Sequence, residues 1–286
     1  MRDGAARRRG SVRRWGRWLV GLGIGCWVLI PLYWTAVVSL IQPVGLISTP
    51  PSLVPRPFTL SYYRELLSGQ PGPSLEFLTA LRNSVIEATG TTIVTVVIAL
   101  LAAYAFARWR FRGSSVIFLV VVGTLALPVY AVLIPLFSLM TQAHQVDSYQ
   151  AVIVINASAS LPFATWLLRS HIAGLPRDIE SAAVVDGANA RTVVWKIVAP
   201  LIAPGVATAA VLVFLMSWGA YLIPLTFATT SHAAPLTVLI PQFTTRYSEN
   251  YGLQAAAGIL SLVLPVSLVL WMNKHILNGL LAGAGK

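Results

Sequence analysis

Six stretches of this chain contain no Asp, Glu, Lys, Arg or His: 18–55, 88–107, 113–143, 148–168, 197–231 and 250–273. Each can supply the roughly 20 helical residues that cross the hydrocarbon of a bilayer. The spans placed inside them are 18–41, 85–107, 115–139, 149–168, 205–226 and 254–273. Lipid offers no partner to a free backbone N–H or C=O, so each span must be helical. The sequence therefore predicts an all-α integral membrane protein with six transmembrane helices. Only 10% of the residues are charged, against about 25% in a soluble domain. A net charge of +11 could suggest nucleic acid, but the basic residues fall in short clusters between apolar runs. No basic face recurs, so the expected partner is lipid and not nucleic acid.

The basic head of the first run (Arg7–Arg9, Arg13, Arg14, Arg17) would suit a signal peptide. An apolar stretch of about 24 residues exceeds a signal core of roughly 7–15, and no small-x-small cleavage site follows. We therefore expect a retained helix, with 1–17 as a basic tail and 18–286 as one transmembrane domain. Charge sets the sidedness. With the N-terminus in the cytoplasm, sixteen Lys and Arg face inward and four (Arg56, Arg64, Arg82, Arg246) face outward. The positive-inside bias puts both ends in the cytoplasm of an inner (plasma) membrane protein.

Segment 42–84 is the longest outer loop. Its prolines 43, 50, 51, 55 and 57 stiffen it. Residues 59–67 then read as a short amphipathic helix, ended by Gly69, Pro71, Gly72 and Pro73. Internal prolines at 31, 128, 135, 162, 224 and 265 each remove a helix hydrogen bond, and membrane helices tolerate them. Cys26 reads as a small packing residue. The four histidines lack metal-ligand spacing. No Gly-x-x-x-x-Gly-Lys-Ser/Thr loop is present, so neither a cofactor nor ATP is expected on this chain.

A hydrophilic island at 174–204 interrupts the apolar runs. Pro176 suits the first position of a helix, and Asp178 and Glu180 complement its dipole. Ile179, Ala182, Ala183 and Val185 form an apolar side with two small residues, and Glu180 reads as an exposed carboxylate. Gly187 suits a left-handed stop and Asp186 a bond to nearby backbone. A second helix begins near Asn189 or Ala190 and carries Val193, Val194 and Ile197. Pro200 and Pro204 separate it from the fifth span. Physics alone leaves two options: a helical corner for a partner, or a loop packed on its own bundle.

The run Glu180-Ser181-Ala182-Ala183-Val184-Val185-Asp186-Gly187-Ala188, followed by Ile197-Val198-Ala199-Pro200, resembles the "EAA" loop of ABC-importer permeases. Ala102–Arg108, Phe111-Arg112-Gly113, Asn83-Ser84, Tyr62–Leu66 and Leu175-Pro176 look like the maltose-type carbohydrate permeases, in particular the smaller subunit. The resemblance implies a type I importer permease with a coupling helix between spans 4 and 5. It implies a second homologous permease, two ATPase subunits and an external solute-binding protein as partners. It assigns Glu180, Ala182, Ala183, Asp186, Gly187 and Ala188 to ATPase docking, with Glu180 in a charge pair with the ATPase. The chain itself would be a transport subunit and not an enzyme. It departs from the family at Trp218-Gly219, where relatives often carry Trp-Asn.

Sugars are held by aromatic faces and hydrogen-bonding side chains. Tyr130, Asn156, Ser160, Trp218 and Tyr221 are the residues inside spans that could supply them, although each could equally pack helices or sit in an aromatic belt. Glu87, near the outer end of a span, is expected to be solvated. The reading is an ATP-driven importer subunit for a sugar or sugar-like solute. The alternatives are an importer for a polyol phosphate or peptide, or a stand-alone secondary transporter. The last would call for charges inside spans and related halves.

Overall fold

The computed structural model describes residues 3–42, 45, 52–109, 111–246 and 250–284. Contacts divide the chain into two units, Met1–Ser68 with Gln242–Leu260, and Gly69–Pro241 with Ser261–Lys286.

In the first unit, helix α1 (Asp3–Leu40) carries the apolar segment Val20–Leu40. Most of its side chains from Val20 to Trp34 lie bare, Trp27 at 82% exposure, as a lipid-facing helix requires. Its end is tied to the following loop by Thr59 N–H to the Leu40 carbonyl (2.8 Å) and Gln42 N–H to the Pro57 carbonyl (3.1 Å). The short amphipathic helix forms as α2 (Ser61–Leu67) and buries Tyr62 and Leu66. The Ser39 and Tyr63 hydroxyls meet at 2.7 Å and hold it to α1.

The second unit is built on three helices. α3 (Pro73–Arg108) starts twelve residues before the expected span, because Gly72 takes a left-handed φ of 111° and Pro73 opens the helix. α4 (Ser114–Gly123) and α5 (Val129–Gln142) correspond to the third span. That span is bent by 99° and is not straight. Pro128 lacks an N–H and drives Leu127 to extended backbone, ψ 128°. α6 (Tyr149–Ala173) packs along α3 despite its internal Pro162. Two short helices follow: α7 (Arg177–Val185) and α8 (Ala190–Leu201). An 83° bend at Ile202 leads into α9 (Ala203–Trp218), which packs on both α3 and α6. The fifth span breaks after Trp218 and resumes as α10 (Leu222–Phe227). Short turns at Leu236–Leu239 (α11) and Phe243–Arg246 (α12) precede α13 (Tyr251–Ala284), which belongs to both units.

One core joins Ala99, Leu100 and Ala103 of α3, Ala164, Leu168 and Ile172 of α6, Val193, Val194 and Val198 of α8, and Ala209 and Val213 of α9. The alanines let the backbones approach closely, which is how helices gain contact energy in lipid. Gly205 is needed for the same reason: a Cβ there would stand 2.5 Å from the His171 ring. A π-helical turn over Val193–Val198 sets which α8 residues face inward. Its wider i→i+5 repeat turns Val198 into the core and leaves Ile197 only half-buried.

Candidate functional site

The corner between α6 and α9 is specified residue by residue. Pro176 caps α7 with ψ 133° and directs the chain out of α6. Asp178 and Glu180 fall in the first turn, where the helix dipole favours carboxylates. At the other end Gly187 has φ 87°. Its N–H bonds to the Val184 carbonyl (3.0 Å), and the Ala188 N–H bonds to the Ala183 carbonyl (2.9 Å). These two bonds make a Schellman stop, which satisfies the Ala183 and Val184 carbonyls. The Asn189 side chain then accepts from the Thr192 N–H (2.9 Å) and starts α8.

Helical geometry gives α7 two faces. Glu180 and Ala183, three residues apart, look into the bundle. Ala183 and Ala188 pack against the main core. Asp178, Ser181, Ala182, Val185 and Asp186 stand exposed, Val185 at 86%. Beside them on α8, Arg191, Thr192, Trp195 and Lys196 line an open concavity of about 270 Å³.

Glu180 corrects the sequence reading, because it is not the corner's exposed carboxylate. Arg108, the last residue of α3, donates from Nε to Glu180 Oε1 at 2.6 Å, and its Nη2 lies 2.6 Å from the same oxygen as an ion pair. Tyr104, one turn earlier, donates to Oε2 at 3.1 Å. Arg108 Nη2 also reaches the Leu175 carbonyl at 3.0 Å, at the hinge between α6 and α7. The two side chains are only 8% and 12% exposed. The open carboxylates are Asp178 and Asp186.

The residues expected to meet solute fall on different elements. Asn156 and Ser160 are buried on α6, each at 4% exposure. Trp218 is half-buried at the end of α9 and stacks on Phe214 at 5.6 Å. Tyr221 is exposed in the break before α10. The backbone of Tyr130 lies in α5, and its side chain falls outside the described residues. Glu87 is 3% exposed, so the expected solvation does not occur.

Glu87 belongs to a feature that the sequence reading passed over. Asn83, Glu87, Thr91 and Thr95 recur every fourth residue on α3, and all four are buried. Asn83 is satisfied: it donates to the Ser231 and Ala234 carbonyls (3.2 and 3.0 Å) and accepts from the Tyr149 hydroxyl (2.7 Å). Ser84 accepts from the Leu236 N–H at 2.8 Å. Glu87, Thr91 and Thr95, with Asn156 on α6 and Ser217 on α9, each hold a buried polar atom without a partner. The four-residue recurrence of polar side chains in an apolar run was the available signal.

Comparison with known proteins agrees with this architecture. Residues 95–279 match the family described as binding-protein-dependent transport system inner membrane component. The trehalose/maltose transport system permease protein of Thermococcus litoralis is 34% identical over 259 residues, covering 90% of this chain and 91% of that one. The sulfoquinovosyl glycerol transport system permease protein of Agrobacterium fabrum is 31% identical, covering 90% and 89%. A crystal structure of a bacterial ABC transporter involved in the import of the acidic polysaccharide alginate contains a similar fold. Its TM-score is 0.79 at 20% identity, covering 96% of this chain and 98% of that one.

Proposed function

The chain belongs to the family of binding-protein-dependent transport system inner membrane components, and from that premise we propose that it carries a sugar or sugar-like solute across the membrane. It is a multi-pass permease subunit of an ABC importer and not an enzyme. A solute-binding protein delivers the solute from outside. A second, homologous permease completes the path, and two ATPase subunits drive it. Relatives named for trehalose/maltose and for sulfoquinovosyl glycerol support the solute class.

The observation that carries the ATPase reading is the outer face of α7. A nine-residue helix presents Ala182 and Val185 to solvent next to a Schellman corner at Gly187. Small apolar side chains on a rigid, capped element are what a partner groove can close over. Ala182, Asp186 and Gly187 form this docking corner, while Ala183 and Ala188 seat it on the bundle. The proposed orientation follows the charge count: 1–17 as a cytoplasmic tail, 18–286 as the permease domain, and 174–204 on the cytoplasmic side. For solute, Trp218 and Tyr221 flank the break at Gly219. Asn156 and Ser160 would become reachable only as α6 separates from its neighbours, and Tyr130 completes the set.

The test is purification of this chain, tagged, from its native membrane. An ATP-hydrolysing cassette protein and a second permease should copurify. Proteoliposomes of that complex with its binding protein should take up radiolabelled trehalose or maltose with ATP inside. Purification of the chain alone, or uptake by the lone chain without ATP, would refute the reading.

A further inference from the structure

We infer that Arg191, Thr192, Trp195 and Lys196 on the outer face of α8 form a binding site for the headgroup of an anionic phospholipid in the cytoplasmic leaflet. The inference rests on the reading of 174–204 as cytoplasmic and of 205–226 as a span. The four side chains line an open concavity of about 270 Å³, slightly below the roughly 300–1,000 Å³ of a drug-sized pocket. Arg, Lys and the Trp indole are donors only, and Thr192 adds a hydroxyl. Such a lining selects an anion with several acceptor oxygens, as a phosphodiester is. The only ion pair among the described residues is Arg108–Glu180, so Arg191 and Lys196 have no carboxylate of their own. Arg191 is also the second residue of α8 after its Asn189 cap. A cation there opposes the helix dipole, and an anion beside it offsets that cost.

Position favours a lipid headgroup over a soluble anion. α8 meets α9 at 83°. With α9 crossing the bilayer, α8 lies close to the membrane plane. Val193, Val194, Val198 and Ile202 turn into the bundle, all at 5% exposure or less. The opposite face is graded along the helix: Arg191 at its start, Trp195 and Lys196 in its middle, Pro200 and Leu201 next to the span. Trp195 is 41% exposed and Leu201 48%. Exposed Trp is typical of the membrane–water interface, and Leu201 continues this face as apolar surface that an acyl chain covers. The Lys196 stem can lie along that surface while its ammonium stays level with the phosphates. A free phosphate would leave the apolar end of the face unused. Basic pockets beside membrane helices on the cytoplasmic side suit acidic headgroups for the same reasons.

The experiment uses the complex purified through a tag on this chain, in neutral detergent, with phosphatidylglycerol or phosphatidylcholine added. Native mass spectrometry counts the lipid retained. Each basic residue near an anionic surface changes binding about fivefold. Arg191→Gln and Lys196→Gln should therefore each weaken phosphatidylglycerol retention about fivefold, and the double variant about 25-fold. All of them should hold phosphatidylcholine equally. Arg191→Lys with Lys196→Arg keeps both charges and should stay close to wild type. Arg177→Gln removes an exposed cation of the same loop that does not line the concavity, and it should change nothing. Inorganic phosphate should not displace the lipid.

Four results would overturn the lipid site. One is equal phosphatidylglycerol retention by wild type and the double variant. Another is a loss in Arg177→Gln as large as in Arg191→Gln, which would reduce the effect to diffuse charge. Displacement by inorganic phosphate would mark a free-anion site. Shedding of the ATPase by the double variant would give the surface to that partner. The cytoplasmic placement fails separately, if a cysteine at Arg177 reacts with an impermeant maleimide in intact cells, and the phosphatidylglycerol comparison still decides whether the site exists.

Discussion

Replacing Gly187 isolates the energetics of the corner between α7 and α8. Its φ is 87°, and a Cβ built there meets nothing within 4 Å. No clash therefore contributes, and the whole cost of a side chain is backbone strain. For an L-residue in the left-handed region that cost is about 1–2 kcal/mol. It is lower for Asn, which adopts this region more readily, and higher for a β-branched residue. Gly187→Val should sit at the upper end of the roughly 1–3 kcal/mol of a residue held in sparse backbone space. Since about 1.4 kcal/mol is tenfold in an equilibrium, the open corner should be populated about 10–100 times more often in the Val variant. The amides to watch are those of Gly187 and Ala188, which close the Schellman bonds to Val184 and Ala183. Their exchange, read by mass spectrometry on peptides over 182–192, should speed up in the order Asn, Ala, Val. Coupled ATP hydrolysis should fall in the same order. Exchange in Gly187→Val within twofold of wild type, or Ala worse than Val, would refute the argument.

Other sites give further checks. Gly205→Ala drives a Cβ to 2.5 Å from the His171 ring, so thermal unfolding should show a loss of about 1–3 kcal/mol from overpacking; an unchanged Tm would contradict the close approach of α9 to α6. Asn83→Ala leaves the Ser231 and Ala234 carbonyls and the Tyr149 hydroxyl without their partner. Each buried orphan costs about 1–3 kcal/mol, so protease should cut faster over 228–236 in this variant. Glu87→Gln keeps shape but removes an ionisable group that is 3% exposed, so stability should hold or rise; a fall of about 1 kcal/mol or more would reveal a partner for the carboxylate. For topology, a cysteine at Ser68 should react with an impermeant maleimide in intact cells and one at Arg177 should not. The reverse pattern would invert the proposed orientation.

The spans and the corner were readable for different reasons. Charge-free runs locate membrane helices because lipid penalises every ion, and α1, α3, α6 and α13 fall where those runs lie. The same signal is blind to bends. The run 113–143 contains no charge on either side of Pro128, so nothing in its composition distinguishes a straight helix from the 99° break. The proline alone carried that information, and Pro31, Pro135, Pro162 and Pro265 sit inside helices. Pro128 instead follows extended backbone at Leu127. At the corner, local rules sufficed for Pro176, Gly187 and Asn189, because capping and left-handed backbone depend on neighbours in sequence.

What the sequence could not show is which way Glu180 points. A carboxylate in the first turn of an exposed helix is favoured by the dipole whether it faces water, a partner or its own bundle. The choice is made by Arg108, seventy-two residues away, and it depends on α3 ending where it does. Trp109 leaves the helix in an extended conformation, and the last helical turn is therefore the one that brings Tyr104 and Arg108 to a common side. Were α3 one residue longer or shorter before that turn, the guanidinium would rotate by about 100° and the carboxylate would be free. The buried stripe of Asn83, Glu87, Thr91 and Thr95 follows the same logic at larger scale. Polar groups in lipid are tolerated when another helix covers them, and the covering helices α6 and α9 are distant in sequence. Both features are pairings between elements that sequence places far apart, while the elements themselves are set locally.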